Sequence, residues 1–185
     1  MDKKIIRAAL LGFGTVGTGV YKVISNQEQE MTAKLGCQVK ITKLLGRNLE
    51  KAAKKVEDTS VLTTNWDDIA GDPSIDIVIE LIGGIEPART YILSALKAGK
   101  NVVTANKDLI AVHGKEILET AGESQKDFLF EAAVAGGIPI ISPLKNSLEA
   151  NHVTEVMGIV NGTTNFILTK MSQEGMEFSD ALALA

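Results

Sequence analysis

Three glycines near the amino terminus have the spacing of a phosphate-binding loop. The segment Gly12-Phe13-Gly14-Thr15-Val16-Gly17 follows the apolar run Ile5–Leu11 and precedes a long segment with helical periodicity. In a G-x-G-x-x-G loop the first glycine permits a tight turn, the second lets the backbone approach a pyrophosphate, and the third lets the helix pack closely on the strand. The N–H groups and the dipole at the start of the helix favour an anion. We therefore predict a dinucleotide-binding loop, with a purely structural glycine turn as the alternative.

The end of the second predicted strand, Val39–Leu45, indicates which dinucleotide is bound. NAD-binding domains usually carry an Asp or Glu here to bond the ribose 2′-hydroxyl, but this strand continues into Gly46-Arg47-Asn48 with no acid. The planar guanidinium of Arg47 suits a 2′-phosphate. Lys51 or Lys43 would add charge, although an ordinary solvated helix face is the simpler interpretation of Lys51, Lys54 and Lys55. NADP is favoured, and NAD stays open.

Two further segments follow predicted strands at the same edge of the sheet. Ligands in doubly wound sheets bind beyond the carboxyl ends of the strands. Ile82 and Gly83 follow the fourth strand, where a glycine lets the backbone lie close to a ribose or a nicotinamide. The segment Thr104-Ala105-Asn106-Lys107 follows the fifth strand, and its lysine could polarise a carbonyl or relay a proton. Spacing alone leaves a surface lysine at a helix start equally open.

The segment from Glu131 to Pro139 follows the sixth predicted strand and combines a glutamate with two glycines. A carboxylate and turned-out carbonyls can hold a hard cation, but composition alone supports such a site only weakly. His113 and His152 lack a metal-ligand spacing, and Cys37 is most simply a small buried hydrophobe.

Alternating apolar runs and helical segments predict the sheet that positions these loops. The predicted strands are Ile5–Leu11, Val39–Leu45, Val61–Leu62, Ile75–Leu81, Asn101–Thr104 and Phe128–Ala133. The predicted helices are Val16–Leu35, Leu49–Val56, Pro87–Ala98 and Leu109–Ala121. Asn48 stands at an N-cap position and Gly99 at the position of a glycine that ends a helix. The alternation predicts an α/β fold, a doubly wound parallel sheet of the Rossmann type, over residues 1–146.

The pattern changes near Pro139. We predict a helix over Pro139–Glu149, a longer alternating strand over His152–Val160, and a helix that starts over Thr164–Met171. Residues 147–185 therefore represent the beginning of a second domain of α+β type. Too few residues follow to complete it, so we expect the sequence to be part of a longer protein.

Composition excludes several classes of function. The 185 residues are 45% hydrophobic and 23% charged, as in ordinary globular proteins. A net charge of −4 argues against a nucleic-acid partner. No apolar run approaches the ~20 residues needed to span a membrane, and the amino terminus lacks a secretory cleavage pattern. One cysteine cannot form an internal disulfide, so we expect a cytoplasmic protein.

Four motifs occur together and in order, and the set resembles homoserine dehydrogenase over essentially the whole chain. They are the glycine loop, Thr104-Ala105-Asn106-Lys107, Glu131-Ala132-Ala133-Val134-Ala135-Gly136-Gly137-Ile138-Pro139-Ile140-Ile141, and Asn161-Gly162-Thr163-Thr164-Asn165-Phe166-Ile167-Leu168. The resemblance implies an NAD(P)-dependent oxidoreductase that reversibly reduces L-aspartate 4-semialdehyde to L-homoserine, in the biosynthesis of threonine, methionine and isoleucine. Two alternatives remain, the cofactor-binding module of another Rossmann dehydrogenase and a non-catalytic dinucleotide sensor.

The resemblance also implies roles for individual residues. Phe13, Thr15 and Val16 would contact the cofactor phosphates, and Arg47 the 2′-phosphate. Thr104 and Lys107 would lie beside the nicotinamide, and Lys107 is the candidate catalytic residue. The complete set of candidate cofactor-binding residues is Gly12, Phe13, Gly14, Thr15, Val16, Gly17, Arg47, Ile82, Gly83, Thr104 and Lys107.

A cation site and a missing part of the active site follow from the same resemblance. Glu131, Val134, Gly136 and Ile138 have the spacing of a family site for a sodium-like monovalent cation, the last three through main-chain carbonyls. Residues 147–185 would be the beginning of a substrate and dimerisation domain, and Asn161–Thr164 would lie at the junction between the domains, close to substrate. The acidic substrate-binding residues and a second lysine lie downstream in the family, so we expect this chain to bind cofactor but to turn over slowly or not at all. The full-length protein is expected to be a homo-oligomer.

Overall fold

The computed structural model describes residues 4–185, which belong to two compact units, Met1–Val134 and Ala135–Ala185. The first unit contains every strand of the described chain. The regular secondary structure of the second unit is entirely helical. The division falls after Val134, whereas the sequence predicts a domain boundary after residue 146. That boundary stays a prediction about the complete protein.

The first unit is built on a six-stranded parallel sheet in the order β3-β2-β1-β4-β5-β6. The strands are β1 Ile5–Leu11, β2 Gln38–Leu45, β3 Leu62–Thr63, β4 Ile77–Glu80, β5 Asn101–Thr104 and β6 Phe128–Leu129. This order has its switch point between β1 and β4, as in doubly wound dinucleotide-binding sheets. The predicted α/β fold of the Rossmann type is confirmed.

Helices connect the strands of the first unit. They are α1 Thr15–Asn26, α2 Glu28–Leu35, α3 Leu49–Ala53, α4 Asp67–Ala70, α5 Ala88–Lys97 and α6 Lys107–Glu123, with 3₁₀ turns at Thr59–Val61 and Glu131–Ala133. The prediction of one helix over Val16–Leu35 is wrong, because the chain breaks at Gln27. Both halves keep the helical period, so the hydrophobic pattern carried no sign of a break at one residue.

Helix caps predicted from sequence lie where expected. The side chain of Asn48 accepts a hydrogen bond from the backbone N–H of Lys51 at 2.8 Å and so begins α3. Gly99 follows α5 with a φ of +79°, the left-handed conformation that glycine adopts without strain. The strand predicted over Phe128–Ala133 is wrong beyond Leu129, because the chain turns into the 3₁₀ turn at Glu131.

The core lies where the central strands meet the helices. Leu11, Val78 and Val102 are fully buried on β1, β4 and β5, as expected for parallel strands that are covered on both faces. Helices α5 and α6 pack on each other, with Ile92 and Ile117 fully buried. This rigid core holds the carboxyl ends of the strands at one edge of the sheet, where the site is formed.

The second unit contains a π-helical turn, Pro143–Ser147, and two helices, α7 Gly162–Glu174 and α8 Phe178–Leu184. The side chain of Asn161 accepts a hydrogen bond from the backbone N–H of Thr164 at 2.8 Å and begins α7. The helix predicted over Pro139–Glu149 is reduced to the short π-helical turn. The strand predicted over His152–Val160 is wrong, because that segment is irregular and exposed. A strand needs a hydrogen-bonded neighbour, and residues 135–185 form none.

Within the part of the chain that the structure describes, no helix is both long enough and apolar enough to cross a membrane.

Candidate functional site

The loops after β1 and β4 enclose a cleft at the switch point of the sheet. The N–H of Gly12 donates to the carbonyl of Leu45 at 2.9 Å, and the N–H of Leu81 donates to the carbonyl of Leu11 at 2.8 Å. These bonds continue the ladders past the strand ends and hold the loops side by side. The cleft between them has a volume of about 840 Å³, within the range of ligand-binding pockets.

The residues that line this cleft come from the ends of β1, β2 and β4 and from the helices that follow them. They are Gly12, Phe13, Gly14, Thr15, Leu45, Gly46, Arg47, Asn48, Lys51, Ala52, Lys55, Thr64, Leu81, Ile82, Gly83, Glu86, Pro87 and Tyr91. Most of the predicted cofactor-binding residues are therefore brought together. Val16 lines a smaller neighbouring cleft, and Gly17, Thr104 and Lys107 line neither.

The three loop glycines have different physical reasons to be glycine. Gly12 has a φ of +91°, and a Cβ there would lie 2.7 Å from the carbonyl oxygen of Leu81. A Cβ on Gly17 would lie 2.1 Å from the carbonyl oxygen of Gly12. Packing within the protein therefore requires glycine at both positions. A Cβ on Gly14 would meet no atom within 4 Å, and the open side of Gly14 lines the cleft.

The amino terminus of α1 is open to an anion. Gly14 is its N-cap and provides no side chain that could cap the helix, and the first turn contains no acidic residue. The helix dipole and the uncapped N–H groups favour a negatively charged group at this end. The open side of Gly14 lies at the same place, so the loop fits a pyrophosphate that approaches the backbone.

Three cations line one end of the cleft, near the end of β2. Arg47 is exposed and forms no ion pair or hydrogen bond through its guanidinium within residues 4–185. Lys51 is also exposed on α3. The Nζ of Lys55 lies 3.4 Å from the hydroxyl oxygen of Thr18 and 6.0 Å from the ring centroid of Phe13. These three side chains give this end of the cleft a positive charge.

Sequence reasoning had favoured a solvated face for the lysines of this helix. The structure divides them, because Lys51 and Lys55 line the cleft whereas Lys54 does not. Lys43 lies on β2 and does not line the cleft either. Lys55 was missed as a site residue. Lys55 lies two residues beyond the end of α3 and reaches the cleft beside Phe13, which is distant in sequence, so the local pattern carried no signal for it.

The opposite wall is formed by Glu86, Pro87 and Tyr91. The ring of Tyr91 stacks on Trp66 with 4.6 Å between centroids, which fixes the wall from behind. The hydroxyl of Thr90 donates to Glu86 at 2.8 Å and holds the pKa of that carboxyl below its usual range. Glu86 therefore stays ionised on a cleft whose other charged residues are cations.

A smaller cleft of about 180 Å³ lies beside the first and is lined by Val16, Leu81, Ile82, Gly83, Ala105 and Asn106. It is mostly apolar, and Val16 is 57% exposed there. Gly83 and Gly84 have φ values of +80° and +73°, so the loop after β4 turns in a way that other residues rarely adopt. The size and apolar lining suit one flat ring.

A buried carboxylate lies behind this smaller cleft. Glu80, the last residue of β4, is fully buried, and its Oε1 accepts the N–H groups of Ile82 at 2.7 Å and Gly83 at 3.3 Å. Its Oε2 accepts the hydroxyl of Thr104 at 2.6 Å. Sequence reasoning missed Glu80 because it lay inside the predicted strand Ile75–Leu81. The available signal was an acid in an otherwise apolar run, since acids are almost never fully buried without partners.

Thr104 and Asn106 continue this network. The hydroxyl oxygen of Thr104 accepts the backbone N–H of Asn106 at 3.0 Å. The side chain of Asn106 donates to the carbonyl of Gly84 at 2.6 Å and accepts the N–H of Leu109 at 3.2 Å, which begins α6. Thr104 is thus buried behind the cleft and acts on it through Glu80 and Asn106.

Lys107 is the first residue of α6 and follows Asn106, which lines the smaller cleft. Its side chain is exposed and makes no ion pair within residues 4–185. The amino end of the helix dipole disfavours a cation there, and no acidic side chain within residues 4–185 pairs with Lys107 to offset that cost. His113 lies further along α6, 3.5 Å from Glu116, and Cys37 is a half-buried thiol just before β2.

The four residues of the predicted cation site fall on the two sides of the division between units. Glu131 begins a 3₁₀ turn and Val134 ends it in extended conformation. In the second unit Gly136 has a φ of +61°, and Ile138 is 70% exposed. Residues 4–185 contain no cluster of three or more His, Cys, Asp and Glu side chains that could hold a metal ion. A site made mainly from carbonyls would not need such a cluster. The cation site stays a prediction.

Two family models match the chain. The model described as homoserine dehydrogenase, NAD binding domain, matches residues 12–131, and the model described as homoserine dehydrogenase matches residues 139–185. The first begins at the glycine loop and ends at Glu131, so it covers the whole cleft.

Known proteins with the same description are similar over nearly the whole chain. Homoserine dehydrogenase of Bacillus subtilis is 49% identical over 179 residues, which is 97% of this chain and 41% of that protein. The crystal structure of a homoserine dehydrogenase from Thiobacillus denitrificans superimposes with a TM-score of 0.87 at 46% identity, over 99% of this chain and 42% of that one. A hyperthermophilic archaeal homoserine dehydrogenase in complex with NADPH gives a TM-score of 0.75 at 27% identity, over 98% and 60%.

Proposed function

The chain belongs to the homoserine dehydrogenase family, and on that premise we propose that it forms the nucleotide-binding part of an enzyme that interconverts L-aspartate 4-semialdehyde and L-homoserine. The reaction would serve the biosynthesis of threonine, methionine and isoleucine. The chain spans about two fifths of the length of the curated relatives it matches. The activity and its substrates are therefore proposed for the complete protein.

The observation that carries the proposal is the open side of Gly14 at the uncapped start of α1. Protein packing accounts for Gly12 and Gly17 but leaves Gly14 without a reason inside the protein. A pyrophosphate that lies against the backbone supplies that reason, because any side chain on Gly14 would stand between the anion and the N–H groups. A purely structural turn would not need a glycine at this position.

The cofactor is proposed to be NADP, with the 2′-phosphate at the end of the cleft that contains Arg47. An unpaired guanidinium can grip a phosphate with two parallel hydrogen bonds. Lys51 and Lys55 line the same cleft and would add attraction without that geometry. The NADPH complex of the archaeal relative supports a phosphorylated dinucleotide for this family.

The chain's own residues would divide the work along the cleft. The loop at Gly14 binds the pyrophosphate, and the apolar wall at Val16 and Ile82 orients the nicotinamide and excludes water from one face. The bound nicotinamide supplies or accepts the hydride. Lys107 would then hold a positive charge near the substrate carbonyl, where it stabilises negative charge that develops on the oxygen.

A titration with separate nucleotides tests this function. We expect wild-type protein to bind NADPH more tightly than NADH in calorimetry. Arg47→Ala should weaken NADPH by roughly tenfold or more, because it removes a charge-assisted contact worth about 1.5–3 kcal/mol, and should leave NADH nearly unchanged. Lys54→Ala is the matched control, since Lys54 is exposed on the same segment and does not line the cleft. Binding of neither nucleotide by wild type would refute the proposal.

We also propose a sodium-like monovalent cation held by the Glu131 carboxylate and the carbonyls of Val134, Gly136 and Ile138. The support is chemical, because a carboxylate and main-chain carbonyls are the oxygen ligands that a hard cation prefers. Replacing sodium chloride by choline chloride at constant ionic strength should then lower the Tm. An unchanged Tm would argue against the site. For the complete protein, which we propose to be cytoplasmic, we also propose a homo-oligomer. Its mass measured by sedimentation tests the oligomeric state.

A further inference from the structure

Glu80 is a buried carboxylate that no cation within residues 4–185 neutralises. Each of its hydrogen-bond partners donates to it, namely the N–H groups of Ile82 and Gly83 and the hydroxyl of Thr104. A group that only accepts hydrogen bonds has the inventory of an ionised carboxylate. A buried charge without a counterion is costly, so its retention behind the smaller cleft calls for a reason beyond packing.

We propose that Glu80 is a positioning residue that fixes the wall of the smaller cleft and whose negative charge favours the oxidised, cationic nicotinamide over the reduced, neutral one. The inference rests on the proposed binding of a nicotinamide nucleotide. Glu80 lines neither cleft. It acts on the smaller cleft through the loop and the strand that it joins.

The positioning part follows from the direction of the hydrogen bonds. The N–H groups of Ile82 and Gly83 turn inward to Glu80, and a trans peptide places each carbonyl opposite its N–H. The carbonyls of the preceding residues therefore point away from the carboxylate, and that of Leu81 faces Gly12 at the cleft. Without Glu80, nothing else in the described chain receives these two N–H groups.

The chain of bonds requires a carboxylate rather than an amide. The hydroxyl of Thr104 donates to Glu80 while its oxygen accepts the N–H of Asn106. A glutamine could still accept the loop N–H groups, but its NH₂ would face the Thr104 hydroxyl. That hydroxyl would then lose its acceptor inside a buried site. Glu80→Gln therefore removes the charge and the bond from Thr104, while its amide oxygen can still accept the N–H groups of the loop.

The charge acts differently on the two redox forms of the nucleotide. The oxidised nicotinamide ring is positive and the reduced ring is neutral, so a nearby buried anion stabilises only the oxidised form, in a region that screens charges less than water does. A residue that served only folding would weaken both nucleotides equally. The ratio of the two dissociation constants therefore separates the proposal from a merely structural role.

The test is calorimetric titration of the protein with NADP⁺ and NADPH for wild type, Glu80→Gln and Asp76→Asn. Asp76 is the matched control, because its carboxylate also accepts a backbone N–H, that of Arg7 at 2.8 Å, but lies before β4 at the opposite edge of the sheet. We expect Glu80→Gln to weaken NADP⁺ relative to NADPH by roughly threefold or more, and Asp76→Asn to leave the ratio unchanged. An unchanged ratio in Glu80→Gln, with wild type binding both nucleotides, overturns this inference alone. Failure of wild type to bind either overturns the proposed function and the inference with it.

A second measurement tests the proposal if Glu80→Gln does not fold. In wild-type protein the amide protons of Ile82 and Gly83 should exchange slowly with solvent, although neither donates to a backbone carbonyl. Glu80→Asp, which keeps the charge on a shorter side chain, should speed their exchange and keep the wild-type nucleotide ratio. Fast exchange of both amides in wild type, or an altered ratio in Glu80→Asp, overturns the proposal.

Discussion

Alanine substitutions at Gly14 and Gly17 separate the two functions of the glycine loop. A Cβ on Gly17 would lie 2.1 Å from the backbone oxygen of Gly12, so α1 and the loop must move apart by about 1 Å. Overpacking against backbone places the cost near ~3 kcal/mol, and the better helix propensity of alanine offsets about 1 kcal/mol. The net loss of ~2 kcal/mol predicts a Tm lower by roughly 4–8 °C.

Gly14→Ala should instead spare folding and weaken binding. The new Cβ meets no atom within 4 Å, and φ is −78°, which any residue adopts. The weaker N-cap and the lower entropy of the unfolded chain nearly cancel, so we expect a Tm within ~2 °C of wild type. The methyl group would keep the pyrophosphate from the N–H groups, and the loss of a charge-assisted contact predicts about 10- to 100-fold weaker NADPH binding.

The assay combines thermal unfolding by circular dichroism with calorimetric titration of NADPH. Gly19→Ala is the matched control, because Gly19 is exposed on α1, a Cβ there meets open space, and the residue does not line the cleft. It should keep both Tm and affinity, or gain slightly in Tm. The reasoning fails if Gly14→Ala binds NADPH as wild type does, or if Gly17→Ala melts at the wild-type temperature.

Three further outcomes follow from contacts in the structure. Asn48→Ala removes the cap of α3 and should cost ~1 kcal/mol, seen as a Tm lower by roughly 2–4 °C; an equal Tm would mean that the cap adds nothing. Lys107→Ala in the complete enzyme should reduce turnover and spare NADPH affinity, and loss of neither would favour a non-catalytic sensor. The side chain of Arg89 hydrogen bonds to Glu116 and lowers its pKa, so that stabilisation is present above the unfolded pKa of about 4.5 and is lost as pH falls through the folded pKa. The Tm difference between wild type and Glu116→Gln should therefore shrink from pH 7 to pH 3, whereas Glu119→Gln should follow wild type throughout.

The sheet was predictable because a parallel strand covered on both faces must be a short, continuous apolar run. That requirement located β1, β2, β4 and β5 within two residues of their ends. It could not distinguish a strand from an exposed alternating segment at His152–Val160, because strand formation depends on a neighbour that local sequence does not specify. The break at Gln27 was likewise invisible, since it leaves the helical period intact on both sides.

The site was predictable where function constrains residue type at a fixed offset from a strand end. The glycine loop and Arg47 met that condition, and both lie on the cleft. Glu80 and Lys55 did not, because their roles depend on residues distant in sequence. Glu80 meets Thr104 across the sheet, and Lys55 reaches the cleft beside Phe13. Such contacts arise from topology, which the sequence specifies only once the strand order is known.

The distribution of charge along the cleft connects the two proposals. Arg47, Lys51 and Lys55 lie at the end that would receive the phosphates, and the buried carboxylate of Glu80 lies behind the apolar end. NADP⁺ has the complementary pattern, with negative phosphates at one end and a positive ring at the other. Reduction removes only the charge on the ring, so the cations hold both forms alike while Glu80 discriminates between them. Arg47 should therefore set which dinucleotide is bound, and Glu80 which oxidation state. If the Arg47→Ala and Glu80→Gln variants each change both preferences, the two ends are not independent and this electrostatic division is incorrect.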